Sequence, residues 1–338
     1  MGPDPAGDAG ARLARLADGY LVTQLLHVVV ALGVPDRLAG APRRSDDLAR
    51  EVGAVPDLLR RVLRGLAAEG VVVELPDDRF ALGPTGELLR TGSPGSLSGV
   101  VAARGRIYYE AAGGLLDAVR AGGSAFERVH GQPFFARLRD EPDRLGAFLA
   151  SMADRSAREV DAVVEAYDFS RFGSVVDVGG GTGALLRRIG ERAPAAELVL
   201  FDRPEVVAAS DLPAAAGDFF DAVPGGADAY VLSRVLHDWD DADATRILAT
   251  CRAAMRPDSV LVVVEAIVPQ RAVDDPEAVR MDLHMLALLG GRERSVAEYA
   301  ALLGASGLRL AADVTTNAGV HVLDVRPAGG VPVDAVPR

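Results

Sequence analysis

Apolar positions recur at helical spacing over residues 12–34, ending in Ala31-Leu32-Gly33-Val34-Pro35, where Gly33 and Pro35 stop a helix. This pattern predicts one long apolar helix. From Ser45 the elements shorten: Ser45 caps a helix begun by Asp46 and Asp47, Gly53 ends it, and Pro56 opens a second helix that closes at Gly70. Leu58, Leu59, Val62, Leu63 and Leu66 fall on one face of that second helix and predict its buried stripe. Val71–Leu75 and Arg79–Leu82, joined by Pro76-Asp77-Asp78, read as a hairpin, so the segment has the order of a winged helix. Residues 97–172 predict helices with breaks at Gly122-Gly123 and Gly131-Gln132-Pro133. After Ser174 the period changes. Apolar runs at Val175–Val178, Leu198–Phe201, Ala229–Leu232 and Val260–Val264 alternate with helical stretches, which predicts a parallel α/β sheet covered by helices on both faces. Leu308–Thr315 and Val320–Val325, separated by Thr316-Asn317-Ala318-Gly319, predict an antiparallel closing hairpin. Three segments result: a helical and winged-helix domain over 1–96, a helical connector over 97–172, and an α/β domain over 173–338.

Composition narrows the chemistry. A net charge of -12 disfavours nucleic acid and anionic membranes as partners. Within residues 36–80 eight arginines face nine carboxylates, so the winged helix is expected to pack or pair subunits, and a DNA regulator is the weaker alternative. All 36 basic residues are arginine, which removes Schiff-base catalysis and a P-loop lysine. Cys251 is the only cysteine, so neither an intramolecular disulfide nor a multi-cysteine zinc site can form. The apolar run Leu25–Val34 is too short to cross a bilayer and no basic leader precedes it; a cytoplasmic protein is expected.

Val175-Val176-Asp177-Val178 runs into Gly179-Gly180-Gly181-Thr182-Gly183, followed by helical residues from Ala184. Such a loop lets a ligand approach the backbone and aims a helix N-terminus at an anionic group. Asp202 ends the next strand, where a carboxylate can accept bonds from both hydroxyls of a ribose. The pair indicates a nucleoside-bearing ligand, and Gly179, Gly181 and Ala184 leave a nicotinamide dinucleotide open as an alternative. Gly217-Asp218-Phe219-Phe220 offers a carboxylate for an adenine amine beside a ring that can stack.

The order of VVDVGGGTG, FDRPEVV, GDFF, LSRVLHDWDD and MDLHMLALLGGRERS resembles the plant-type (caffeate- and hydroxyindole-like) small-molecule O-methyltransferases, in particular their actinobacterial branch acting on polyketides and other secondary metabolites. The resemblance covers nearly the whole chain. It implies a Rossmann-like class I methyltransferase sheet, an N-terminal dimerisation domain and a homodimer. It also implies S-adenosylmethionine as cofactor, leaving S-adenosylhomocysteine. Gly179 and Gly181 would cradle that cofactor, with Asp202 at the ribose, Asp218 and Phe219 at the adenine, and Arg203, Ser233 and Arg234 also binding it. Plant members carry lysine where Ser233 stands, and Arg234 is the substitute on offer.

Methyl transfer to a hydroxyl needs a base that titrates near neutrality, and His237, just beyond the strand Ala229–Leu232, is the candidate. The resemblance assigns Glu265 and Glu293 to orient its ring. Asp240 reads as a helix cap rather than a metal ligand, so no metal is expected. Met281, His284 and Met285, with Phe148 and Met152, match the family's substrate-facing positions for an aromatic acceptor. A related protein that keeps S-adenosylmethionine for a non-methylating reaction and a nicotinamide-dependent oxidoreductase are the alternatives.

Overall fold

The computed structural model describes residues 5–139 and 158–329. These divide into two compact units, one formed by the chain up to Gly114 with the residues from Val129, the other by Leu115–Arg128 with residues 158–329.

In the first unit the apolar N-terminal stretch is two helices, Pro5–Ala17 and Gly19–Ala31, bent by 43° at Asp18-Gly19, and not the single helix expected. Both junction residues are poor helix-interior formers. Leu13, Leu16, Tyr20 and Leu21 stay 69%, 68%, 55% and 48% exposed, so one chain leaves an apolar face open. No single helix among the described residues is long and apolar enough to cross a membrane.

The winged helix forms from helices Ser45–Val52 and Pro56–Ala68 and a three-stranded antiparallel sheet. Its strands are β1 (Arg43–Arg44), β2 (Val72–Leu75) and β3 (Arg79–Leu82), in the order β1-β3-β2. Strand β1, too short to leave a sequence pattern, explains why Ser45 is the first helical residue and not the cap. Pairing of Arg44 with Arg79 and the bond from Ser45 N–H to the Asp78 carbonyl hold Arg44 extended in the cap position. Leu59, Leu63 and Leu66 are buried as the stripe predicts, whereas Leu58 is exposed.

Helix Gly19–Ala31 packs tightly against a π-helical turn, Arg104–Tyr108. Gln24 Nε2 donates to the Gly105 carbonyl at 2.7 Å, and a Cβ on Gly105 would lie 2.3 Å from the Cβ of His27. Gly105→Ala is therefore expected to destabilise this unit by about 1–3 kcal/mol through overpacking. Denaturant unfolding checks this, and an unaltered midpoint would show that the helices separate at no cost.

The second unit is a seven-stranded sheet. Its strands are β4 (Ser174–Val178), β5 (Glu197–Asp202), β6 (Ala214–Ala216), β7 (Ala229–Ser233), β8 (Val260–Glu265), β9 (Leu308–Thr315) and β10 (His321–Pro327). The spatial order is β6-β5-β4-β7-β8-β10-β9, parallel except for β10, which runs antiparallel to both β8 and β9. Every residue of β8 is buried, as expected of a strand covered on both faces. One face packs Leu186, Ile189 and Val322 and the other Ile247, Leu248 and Leu303. Strand β6 escaped prediction because three alanines carry neither β-branching nor alternation. Burial pushes the Cys251 thiol up to about 12, leaving it an inert core side chain. Because β4 has β5 on one side and β7 on the other, the chain reverses its winding at β4, and ligands bind beyond the strand ends at such a point.

Candidate functional site

Strand β4 delivers the glycine loop to that point. Gly179, Gly181 and Gly183 have φ of 71°, 58° and 73°, a region that side chains seldom adopt, and Gly183 starts helix Ala184–Arg192. A Cβ on Gly183 would sit 2.3 Å from Leu212. The loop lines a cavity of about 220 Å³ together with Asp177, Glu159, Ser233 and Arg234.

Asp202, at the end of β5, accepts from the Gly181 N–H through Oδ2 at 2.9 Å and from the Arg203 N–H through Oδ1 at 2.7 Å. Its lone pairs left over by these two bonds are available to a diol. The Arg203 side chain is half exposed and pairs with Glu205, while its backbone N–H donates to Asp202. Asp218 is exposed, with Oδ1 accepting from the Phe220 N–H, while the Phe219 ring lies 3.4 Å from where a Gly179 Cβ would be. Trp239, not foreseen in the sequence, meets Phe219 and Phe220 edge-on at 6.0 and 4.8 Å between centroids.

Asp177 was legible only as part of the glycine run. It is 1% exposed, its Oδ1 makes no hydrogen bond among the described residues, and burial with the nearby charge of Asp202 raises its pKa to about 7. A carboxyl whose folded pKa lies above its unfolded one destabilises the fold as pH rises, here across roughly pH 4 to 7. Asp177→Asn is expected to flatten the melting temperature over that window and to raise it at pH 8; an identical pH profile in both proteins would refute the charge's cost.

Beyond β7 the chain turns sharply at Arg234, whose φ of 57° is unusual for a residue with a side chain. A short 3-10 turn, Leu236–Asp238, then presents His237, its side chain 7% exposed. Glu265, the last residue of β8, and Glu293 are completely buried beside it. His237 Nδ1 donates to Glu293 Oε1 at 3.0 Å. Glu265 holds the turn instead: its Oε1 accepts from the N–H groups of Val235 and Leu236 at 3.0 and 2.8 Å, and its Oε2 lies 3.7 Å from the ring. On the far side, Asp238 Oδ1 is 3.2 Å from Nε2.

Arg234 threads the same cluster, with its guanidinium 3.2 Å from Glu293, 3.5 Å from Glu265 and 3.8 Å from Glu159. It thus borders the glycine cavity and the carboxylates that surround the imidazole. Burial and Arg234 press the His237 pKa down, but Glu265, Asp238 and the Glu293 hydrogen bond outweigh them, so it sits above its ordinary value. Candidate ligand atoms of His237, Glu265 and Glu293 lie within 4.8 Å of one another, a spacing compatible with a metal ion. The guanidinium, however, already supplies that cluster with its counter-charge.

Helix Pro276–Leu288 carries Met281, His284 and Met285 at positions i, i+3 and i+4 of one face, Met285 buried and the other two half-buried. It joins the site through Asp282, whose Oδ1 accepts from the Glu293 N–H at 2.9 Å. Phe148 and Met152 lie outside the described residues. Asp240 caps helix Asp241–Ala254 by accepting from the Asp243 N–H.

Residues 113–309 match the model of an O-methyltransferase domain, and residues 14–92 that of an O-methyltransferase dimerisation domain. The phenazine O-methyltransferase of Lysobacter antibioticus is 38% identical over 327 residues, covering 93% of this chain and 95% of its own. A solved mitomycin 7-O-methyltransferase superposes with a TM-score of 0.87 at 34% identity, covering 96% of this chain and all of that one. An O-methyltransferase from neocarzinostatin biosynthesis, solved with S-adenosylhomocysteine and 1,4-dihydroxy-2-naphthoic acid, superposes with a TM-score of 0.79 at 28% identity, covering 90% and 96%.

Proposed function

Because the chain belongs to the S-adenosylmethionine-dependent O-methyltransferase family, with that family's class I sheet and dimerisation domain, we propose that it methylates a phenolic hydroxyl of a small aromatic secondary metabolite with His237 as general base. The observation that carries this reading is the buried pair His237 Nδ1–Glu293 Oε1, set beside a glycine cradle at the carboxyl ends of parallel strands.

The cradle suits the cofactor. Three left-handed glycines leave room that Cβ atoms would fill, Asp202 presents acceptor lone pairs at the next strand end, and Phe219 borders Gly179. Gly179, Gly181, Asp202, Asp218, Phe219, Ser233 and Arg234 would hold it, with Arg203 contributing through its backbone. When bound, the cofactor supplies a methyl group on a sulfonium, activated toward direct displacement by an oxygen nucleophile.

The protein supplies alignment and a place for the proton. Glu293 fixes the Nδ1–H tautomer, which turns Nε2 toward an incoming hydroxyl, and the carboxylates stabilise the imidazolium that forms when Nε2 takes the proton. Asp238, facing Nε2 in the free protein, must give way to the acceptor or bond to it. Met281, His284 and Met285 form a wall for a flat ring, a reading supported by the naphthoic acid bound in the neocarzinostatin enzyme and by the phenazine named for the Lysobacter enzyme. The exposed face of Leu13, Leu16, Tyr20 and Leu21 pairs two copies of the chain.

Calorimetry should give heat with S-adenosylhomocysteine and none with NADH, and labelled S-adenosylmethionine should transfer methyl to members of a phenol panel that includes 1,4-dihydroxy-2-naphthoic acid. Binding without methylation of any phenol, together with methylation of an aryl amine, would move the proposal from oxygen to nitrogen.

A further inference from the structure

The buried arginine Arg294 has no part in the scheme above. Its side chain is 1% exposed, among the largest fully buried side chains of the described residues, and within these residues its polar contacts are to the segment that carries His237 or to its own loop. Nη1 donates to the Leu236 carbonyl at 2.9 Å and Nη2 to the Trp239 carbonyl at 2.9 Å. Nε donates to Asp241 Oδ1 at 2.9 Å, at the first turn of the helix that follows, and Nη1 reaches the Arg292 carbonyl at 3.5 Å. One planar cation therefore ties together the residue before His237, the second residue after it, and the helix beyond. The Tyr299 ring backs the guanidinium, its centroid 6.0 Å away.

The loop holding Arg294 is itself fixed from three sides. Arg294 bridges to Ile267 beyond β8, and its carbonyl accepts from the Val268 N–H at 3.1 Å. Asp282 holds the Glu293 N–H, and the Arg292 N–H donates to the carbonyl of His237 itself at 2.9 Å. Gly291 lies so close that a Cβ there would be 2.1 Å from that same carbonyl. Glu293 thus approaches the imidazole from a loop already bound to the imidazole's own backbone.

We propose that Arg294 is the positioning residue for His237, fixing the 236–241 segment from inside so that the Nδ1–Glu293 bond and the direction of Nε2 are set before substrate arrives. The inference rests on His237 being the base. A neutral side chain leaves the carbonyls of Leu236 and Trp239 without their donor, the turn loosens, and the imidazole drifts from Glu293. Lysine keeps the charge beside Asp241 but cannot bridge both carbonyls with a planar fork.

The test compares full-length wild type, Arg294→Met, Arg294→Lys, His237→Ala and the double variant H237A/R294M. Turnover is read on the best phenol of the panel, S-adenosylhomocysteine affinity by calorimetry, and the His237 ring by NMR pH titration, its signal assigned from H237A. R294M is expected to lower kcat about 100-fold, the effect of misplacing a catalytic group by roughly 1 Å. R294K should recover part of this. Cofactor-product affinity should stay within about threefold, since the glycine cradle makes no contact with Arg294. The His237 titration should move down toward the ordinary histidine range, and R294M should cost nothing further in the H237A background.

Wild-type kcat and an unmoved titration in folded R294M overturn the proposal. So does an equal loss in both backgrounds, or a fall in cofactor-product affinity that matches the fall in kcat. If R294M does not fold, R294K is held to the same two readouts. An inactive H237A beside a fully active R294M removes Arg294 alone, whereas a fully active H237A removes the base and Arg294 with it.

Discussion

Replacing His237 by alanine is expected to lower kcat by a factor of about 10²–10⁴ while S-adenosylhomocysteine affinity changes by less than about threefold. The separation follows from the layout. The cradle is built by the ends of β4 and β5, and the imidazole sits beyond β7 on its own 3-10 turn, held by β8 and by the 291–294 loop. Removing the ring takes away the proposed proton acceptor and leaves the cradle's glycines and Asp202 untouched. Glu293→Gln should fall between wild type and alanine, because an amide can still accept the Nδ1–H bond but brings no charge to stabilise the imidazolium. Steady-state turnover and calorimetry on the same preparations check both variants. A His237→Ala protein that methylates at the wild-type rate would leave a catalyst working by alignment alone.

Much of this layout was legible beforehand, and what was hidden has physical causes. The glycine run, Asp202, His237 and Glu265 each end or follow a strand whose continuous apolar run betrays it, so their gathering along one sheet edge follows from the parallel topology, whereas Glu293 lies in a loop between two helices and was singled out by the family resemblance. Their division of labour does not follow. Glu265 and Glu293 are equivalent carboxylates on paper, yet the pairing of β7 with β8 places Glu265 under the N–H groups of Val235 and Leu236 and leaves the Nδ1 bond to Glu293. Asp282 and Glu159 enter the site from helices with no distinctive pattern, and nothing in a run of letters separates them from solvated acids. Strands β1 and β6, two and three residues long, exist only through their neighbours. The break at Asp18-Gly19 was masked by apolar periodicity that continues across it.

Arg234, expected beside the cofactor, borders the glycine cavity and also lies among the carboxylates around His237; with His237 as the proposed base, this charge sets where activity begins on the pH scale. Arg234 faces Glu159 from the helix over 158–166, Glu265 from β8, Glu293 from the 291–294 loop and, more distantly, Tyr299; Asp238 on its own segment faces His237. Its positive charge opposes protonation of the imidazole, while the carboxylates favour it and prevail. The neutral ring is the reactive form, so the rate should rise with pH through an acid limb lying above the ordinary histidine value of about 6.5. Arg234→Met removes a cation that opposes protonation and frees Glu265 and Glu293 to act on the ring undiminished; both changes stabilise the imidazolium. The limb should therefore move upward, by about one pH unit for a charge at this range. Well below the limb turnover falls about tenfold, and well above it turnover returns to that of wild type. Arg234→Lys should leave the limb near its wild-type place. If Arg234 served chiefly as a cofactor contact, R234M would weaken S-adenosylhomocysteine binding equally at every pH and leave the limb where it was, and a pH series of calorimetry and kcat/KM on the three proteins distinguishes the two.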